Sequence, residues 1–224
     1  MFAPALAAAA PSFEPVGFLR DGVRRYARLV CDLTVYGRVL LDLAVGSAIA
    51  EAYLTAPVRD ERAFPAYAQF CEHTVRQYHF LVGREEFGGL GVRVRVVDED
   101  PYPNAEAMAE DVRHRRLRVW ASAATANPHP YLSDVENDMF RAVHDAFGHA
   151  ASGRGFDAHG EEAAWLRHSV MYPPLARQAL TTEIRGQTCA LVFRRGDGFP
   201  QQKAALLPRR FSDRRTVLVD RAAG

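Results

Sequence analysis

Several things are scarce in this chain of 224 residues. Cysteine occurs only as Cys31, Cys71 and Cys189, an odd number at wide spacings with no CxxC pair. That argues against a disulfide scaffold or a thiolate zinc site, and fits a reducing, cytoplasmic setting. Lysine is almost missing: Lys203 stands alone against 27 arginines. Charge of one sign is missing too, since the formal net charge is +1. No global field therefore commits the chain to a polyanion, and neither nucleic acid nor membrane is an expected partner. Long apolar runs are also lacking. The most apolar stretch, 29–56, is interrupted by Asp32, Arg38, Asp42 and Glu51, whereas a membrane span needs about 20 nearly uncharged residues. The N-terminus is rich in Ala and Pro with no basic residue before Arg20, which does not fit a secretory signal.

What is present is an ordinary globular composition, 48% apolar and 25% charged, enough to build a core without staples. Residues 1–18 read as a flexible tail and 19–224 as a single metal-binding catalytic domain. Residues 22–56 read as one or two mostly buried helices. Tyr67, Phe70, Thr74, Tyr78 and Leu81 recur at steps of three and four, which predicts a helix over 65–81. Val92-Arg93-Val94-Arg95-Val96 alternates like a half-buried strand. Asn104 is placed to cap a short helix to about Arg115, and Leu117 to Trp120 reads as a second strand. Ser133-Asp134-Val135-Glu136 has the form of a capping box, opening a helix towards Gly148. Further helices are expected over 160–172 and from the Pro173-Pro174 pair to about Gln187. The fold class is α+β, mainly helical, with a small β-sheet.

The densest chemistry is Val143-His144-Asp145-Ala146-Phe147-Gly148-His149. Five residues of ideal helix leave the two imidazoles about 140° apart. A backbone departure at Gly148 is the expected way to bring both onto one ion. The alternative is two ordinary histidines at a helix end, one of them complementing its negative pole. Downstream, Glu183 lies on a helix face with Leu175, Ala179, Thr182 and Gly186. A buried carboxylate there needs a cation or a hydrogen-bond partner. A metal is one candidate and a salt bridge to Arg177 or another arginine is the other. Two histidines and a carboxylate form the facial triad of non-haem iron(II) oxygenases.

His-Asp-x-Phe-Gly-His, followed by Thr-x-Glu on a later helix, resembles the iron site of the biopterin-dependent aromatic amino acid hydroxylases. The likeness spans roughly residues 110–190. It implies an aromatic-amino-acid-hydroxylase-like catalytic core with His144, His149 and Glu183 as metal ligands. It further implies Fe(II), dioxygen and tetrahydropterin or another reductant. The segment Asn127-Pro128-His129-Pro130, where the family carries a carboxylate-binding arginine, has none. Phenylalanine is accordingly not expected to be an efficient substrate.

Asp145 is the candidate catalytic residue, orienting a ligand or contacting a cosubstrate. Phe147 and Trp165 are the candidate cofactor-binding aromatics, with Phe156 and Tyr172 as further pocket-wall candidates. Glu161 and Glu162 are rivals to Glu183, but acids in a first helical turn usually remain in water. His159 and His168 read as surface residues. The functional expectation is a mononuclear iron monooxygenase acting on a small aromatic or planar substrate. The alternatives are a metal-dependent HD-type phosphohydrolase, with His114 or His79 as an upstream ligand, and a non-enzymatic metal-stabilised module. A homo-oligomer is compatible with this composition. The excess of basic residues from Val192 onward reads as a solvated face.

Overall fold

The computed structural model of the protein describes residues 12–194 and 198–220. It is mainly helical with two small sheets. The helices are α1 (Gly17–Tyr26), α2 (Leu43–Thr55), α3 (Phe64–Val82), α4 (Ala105–Arg113), α5 (Asp134–His144), α6 (Ala158–His168), α7 (Pro174–Thr181) and α8 (Gln187–Phe193). The strands are β1 (Val39–Leu40), β2 (Arg93–Val97), β3 (Arg116–Trp120) and β4 (Leu218–Val219). Strands β2 and β3 pair in parallel, joined by α4, while β1 pairs antiparallel with β4. The β2–α4–β3 unit has the short crossover that a parallel pair requires.

The long helix α3 is the central pillar, packed against α5 and α7. Its predicted stripe faces inward: Tyr67, Phe70, Thr74 and Leu81 are buried. The ring of Phe70 lies 5.0 Å from Phe140 of α5, edge-on, and 5.3 Å from Tyr172, stacked. Aromatic pairs of this kind add about 0.5–1.5 kcal/mol each beyond simple burial. They therefore help to fix the register of α3 against the helix that carries His144. A second, smaller apolar cluster joins α2 to α8 through Ile49, Tyr53, Cys189 and Ala190. No helix among the described residues is long and apolar enough to cross a membrane.

Local start signals act as expected. Ser133 accepts a hydrogen bond from the Glu136 amide while Glu136 reaches back to the Ser133 amide, completing the capping box of α5. Asn104 caps α4 through the Ala107 amide. The region 22–56 differs from expectation. Helix α1 ends at Tyr26, and Arg28 takes a left-handed conformation with φ 52°. The chain then runs without helix or strand to Tyr36, leaving Val30 96% and Leu33 87% exposed. A tertiary contact overrides helix propensity here: Asp32 is drawn into an ion pair with Arg167 of α6 and accepts a hydrogen bond from Tyr36 at 2.9 Å.

The boundary of the tail also differs. Ser12 bridges to Arg154, and the Phe13 amide donates to the Gly153 carbonyl at 2.9 Å, so residues 12–18 belong to the packed body. The rest of the expected tail, residues 1–11, lies outside the described residues.

Candidate metal centre

Helix α5 does not break at Gly148. It continues from Asp145 to Ala150 as a π-helical segment. An i→i+5 turn is wider than an α-helical one, so residues five apart come closer in angle and the offset of about 140° in an α-helix shrinks. The rings of His144 and His149 meet at 4.8 Å between centroids. Gly148 is needed for close approach and not for an unusual dihedral. A Cβ there would fall 2.9 Å from Nδ1 of His144 and 3.1 Å from the methyl of Ala164.

The acid that joins them is Glu161. Its Oε2 lies 3.2 Å from Nε2 of His144 and its Oε1 3.4 Å from Nε2 of His149. Among the described residues, His144, His149 and Glu161 are the group whose ligand atoms all fall within 4.8 Å of one another. Glu161 sits in the first turn of α6, where the helix dipole favours negative charge. That turn folds back over the histidines because Asp157 caps it through the His159 and Gly160 amides. Gly160 also packs against Gly155, where a Cβ would lie 1.9 Å from the Gly155 carbonyl oxygen. The expectation that Glu161 stays in water is thus corrected: the helix start is a wall of the site. Gly153, Gly155 and Gly160 are the sequence signal for this close return, and only their combined placement gives it meaning.

His149 donates its Nδ1–H to the Arg154 carbonyl at 3.1 Å, which leaves the lone pair of Nε2 directed at Glu161. An unprotonated nitrogen facing a carboxylate is two acceptors facing each other, and a cation or a proton must stand between them. Burial opposes ionisation of Glu161, yet the charge and hydrogen bonds of the two imidazoles hold its carboxyl well below the usual range. Burial likewise disfavours the charged form of His149, but Glu161 outweighs it and raises the imidazole above its ordinary value. Both shifts describe a cavity arranged for positive charge.

Glu183 is buried, as the helix-face argument requires, but the structure does not bring it to the two imidazoles. It lies in a second π-helical segment, Thr182–Gly186. Its Oε1 accepts from the Tyr67 hydroxyl at 2.5 Å and from His129 Nε2 at 3.1 Å, and its Oε2 accepts from Gln187 Nε2 at 2.9 Å. His129 is fixed as the donor because its Nδ1 accepts from the Tyr131 and Leu132 amides. The carboxylate is satisfied by hydrogen bonds, and Leu175 of the supposed flanking face is exposed. Arg177 donates to the Ser169 and Tyr172 carbonyls and is not a partner of Glu183. The other rival, Glu162, forms a buried bidentate pair with Arg185 at 2.8 and 2.6 Å.

Glu161 and Glu183 face one cleft of about 460 Å³, whose wall also includes Tyr102, Trp120, Phe140, Phe156 and Phe199. Asp145 lines it too, and burial pushes its carboxyl up to about 6, Glu161 adding to the rise while the imidazoles and Arg141 oppose it. Phe147 and Trp165 do not reach the cleft. Both are fully buried, Phe147 stacked 6.1 Å from Phe80 and Trp165 beneath the Arg185 guanidinium at 4.5 Å. Phe156 is the aromatic of that set that lines the cleft. His159 and His168 are buried, not superficial. His159 accepts from the Leu41 amide, and His168 stacks 5.8 Å from His144 while bonding Gln77 at 2.7 Å. His114 is exposed just past the end of α4, and neither it nor His79 enters the cluster.

Comparison with protein-family models, with curated proteins and with solved structures found no match.

Proposed function

We propose that the protein is a mononuclear metal enzyme of the non-haem iron(II) oxygenase type, hydroxylase-like in its site. The observation that carries this reading is the convergence of His144, His149 and Glu161 on one point. Two neutral imidazoles and one carboxylate are the donor set such centres use, and it leaves one side of the ion open. The resemblance to aromatic amino acid hydroxylases supports the same two histidines and differs in the acid.

Bound iron(II) would supply the redox chemistry that activates dioxygen, with electrons from tetrahydropterin or another reductant. The rest falls to the chain itself. The Arg154 carbonyl fixes the tautomer of His149, and Gly148 keeps room for the His144 ring. His168 and Phe140 pack beside that ring, with centroids 5.8 and 5.9 Å from it and 6.5 Å from each other. On the open side, Phe140, Phe156 and Trp120 present apolar surface suited to a small planar substrate. Asp145 and Arg141 are the charged groups beside it, able to orient polar substituents.

The test is metal loading under anaerobic conditions. One equivalent of Fe(II) should bind per chain, and oxygen uptake should appear only when a planar aromatic and a reductant are both present. Loading of one zinc with release of phosphate from phosphomonoesters would replace this reading with the hydrolytic one. Absence of any stoichiometric metal would sink both.

A further inference from the structure

The β2–β3 pair carries a feature that does not depend on the metal reading. Its parallel register sets Arg93 opposite Arg116 and Arg95 opposite Arg118. Paired residues and residues two apart share a sheet face, so the four guanidiniums project from one side, and all four residues are exposed. The opposite face of β3, Leu117 and Val119, is buried in the core. Like charges directly across a strand pair destabilise it. Among the described residues, Asp111 relieves two of them, at 3.1 Å from both Arg116 and Arg118, and Arg118 also lies over the Tyr102 ring at 4.6 Å. No carboxylate among the described residues pairs with Arg93 or Arg95. Among the described residues, the face therefore holds positive charge, on Arg93 and Arg95, that no carboxylate neutralises.

The next pair on the same face is Val97 and Trp120. The indole is half-buried, tied by Nε1 to the Asp98 carbonyl at 3.1 Å, and it also forms part of the cleft wall. Asp98, Glu99 and Asp100 follow β2 directly, so the basic track ends where the aromatic begins. Along a strand the same-face step is about 6.6 Å and across the pair about 4.8 Å. That grid suits successive phosphates of an extended strand, with a π-face at its end. An acidic peptide would use the arginines but would have no use for the indole.

We propose that this face binds single-stranded nucleic acid, its phosphates on Arg93, Arg95, Arg116 and Arg118 and one base stacked on Trp120. The near-neutral net charge conceals the site because acids and bases are segregated in space and not in composition.

Fluorescence anisotropy with a labelled dT12 oligonucleotide tests it. Four phosphate contacts predict a slope of log affinity against log salt of about −2.8, at roughly 0.7 per contact for single strands. Arg93→Gln/Arg95→Gln should reduce the slope by about 1.4. Both residues are exposed, so folding, checked by circular dichroism, should be kept. Trp120→Ala should weaken dT12 roughly 5- to 100-fold while leaving inorganic polyphosphate unaffected, and Trp120→Phe should restore most of the loss. Absence of binding at 20 mM salt, or an unchanged slope in the double variant, overturns the site. Poly-glutamate binding as tightly as dT12, with no effect of Trp120→Ala, overturns its assignment to nucleic acid.

Discussion

The Oε2 of Glu161 lies 3.2 Å from Nε2 of His144, although one residue ends α5 and the other opens α6. The same carboxylate reaches His149 through its other oxygen. Glu161 is thus the hinge of the candidate metal centre, and Glu183 is a hydrogen-bonded acid in the wall of the same cleft.

Glu161→Ala should cost metal affinity far more than Glu183→Gln. Loss of a residue that merely orients a ligand costs about 10–100-fold, so loss of a ligand should exceed that range. Cobalt(II) titration followed by its visible spectrum reads the difference directly. Full retention of affinity in Glu161→Ala, with loss in Glu183→Gln, would return the ligand role to the later helix.

Metal affinity should fall as pH drops through about 6, because protons compete for imidazoles that must be neutral to ligate. The metal-free protein has its own dependence. The raised His149 stabilises the fold below its unfolded pKa, and that contribution is lost as pH rises through its folded value. The depressed Glu161 contributes above its unfolded pKa, and its contribution is lost only as pH falls through the folded value. The stabilising overlap therefore lies between the ordinary Glu and His values. Denaturant titrations of apo-protein at several pH values should peak there, and metal should move the peak upward.

Gly148→Ala should damage the metal site more than the fold. The added methyl meets the His144 ring at 2.9 Å and the Ala164 methyl at 3.1 Å, and the ring is the partner able to turn. The expected result is a large drop in metal affinity with a loss of about 1–3 kcal/mol in stability, the usual range for overpacking. Equal metal affinity in the variant would mean that the ring position is not set by this contact.

Glu183→Ala should destabilise the protein, since it strips the acceptor from buried His129 and from Gln187, while Tyr67 keeps the Lys203 carbonyl. Each buried donor left unsatisfied costs about 1–3 kcal/mol. Arg185→Ala should also cost about 3–5 kcal/mol, because it leaves Glu162 buried and unpaired. Thermal unfolding of the two variants checks both.

Arg141 is the guanidinium of the cleft wall, and its Nε is buried without a hydrogen-bond partner. The loop 127–130 offers no arginine, so phenylalanine turnover should be poor unless Arg141 serves in its place. Product analysis with wild type and Arg141→Gln decides: tyrosine formed by the first and not the second would assign the carboxylate contact to Arg141.

Much of the local structure was legible in the residues. The 3.6-residue period of α3, the alternation of β2, the Asn104 cap and the Ser133–Glu136 box each depend on neighbours within a few positions. His144 and His149 stood out for the same reason, and Glu183 was correctly placed in the interior by its helix face. What the helix face could not supply was the partner. Tyr67 and His129 come from 116 and 54 residues away, and they satisfy the carboxylate that otherwise called for a metal.

The sequence by itself determined where helices start, which faces are apolar and which two imidazoles are close along the chain, because those are properties of short periods. Tertiary structure decided the rest. The π-helical turn narrows the angular offset of the histidines. Three glycines let α6 return over them and turn a first-turn acid from a solvated dipole partner into a site carboxylate. The register of β2 on β3 sets arginine against arginine. Each of these depends on distances between segments far apart in sequence, and electrostatic and hydrogen-bond energies are functions of distance in space.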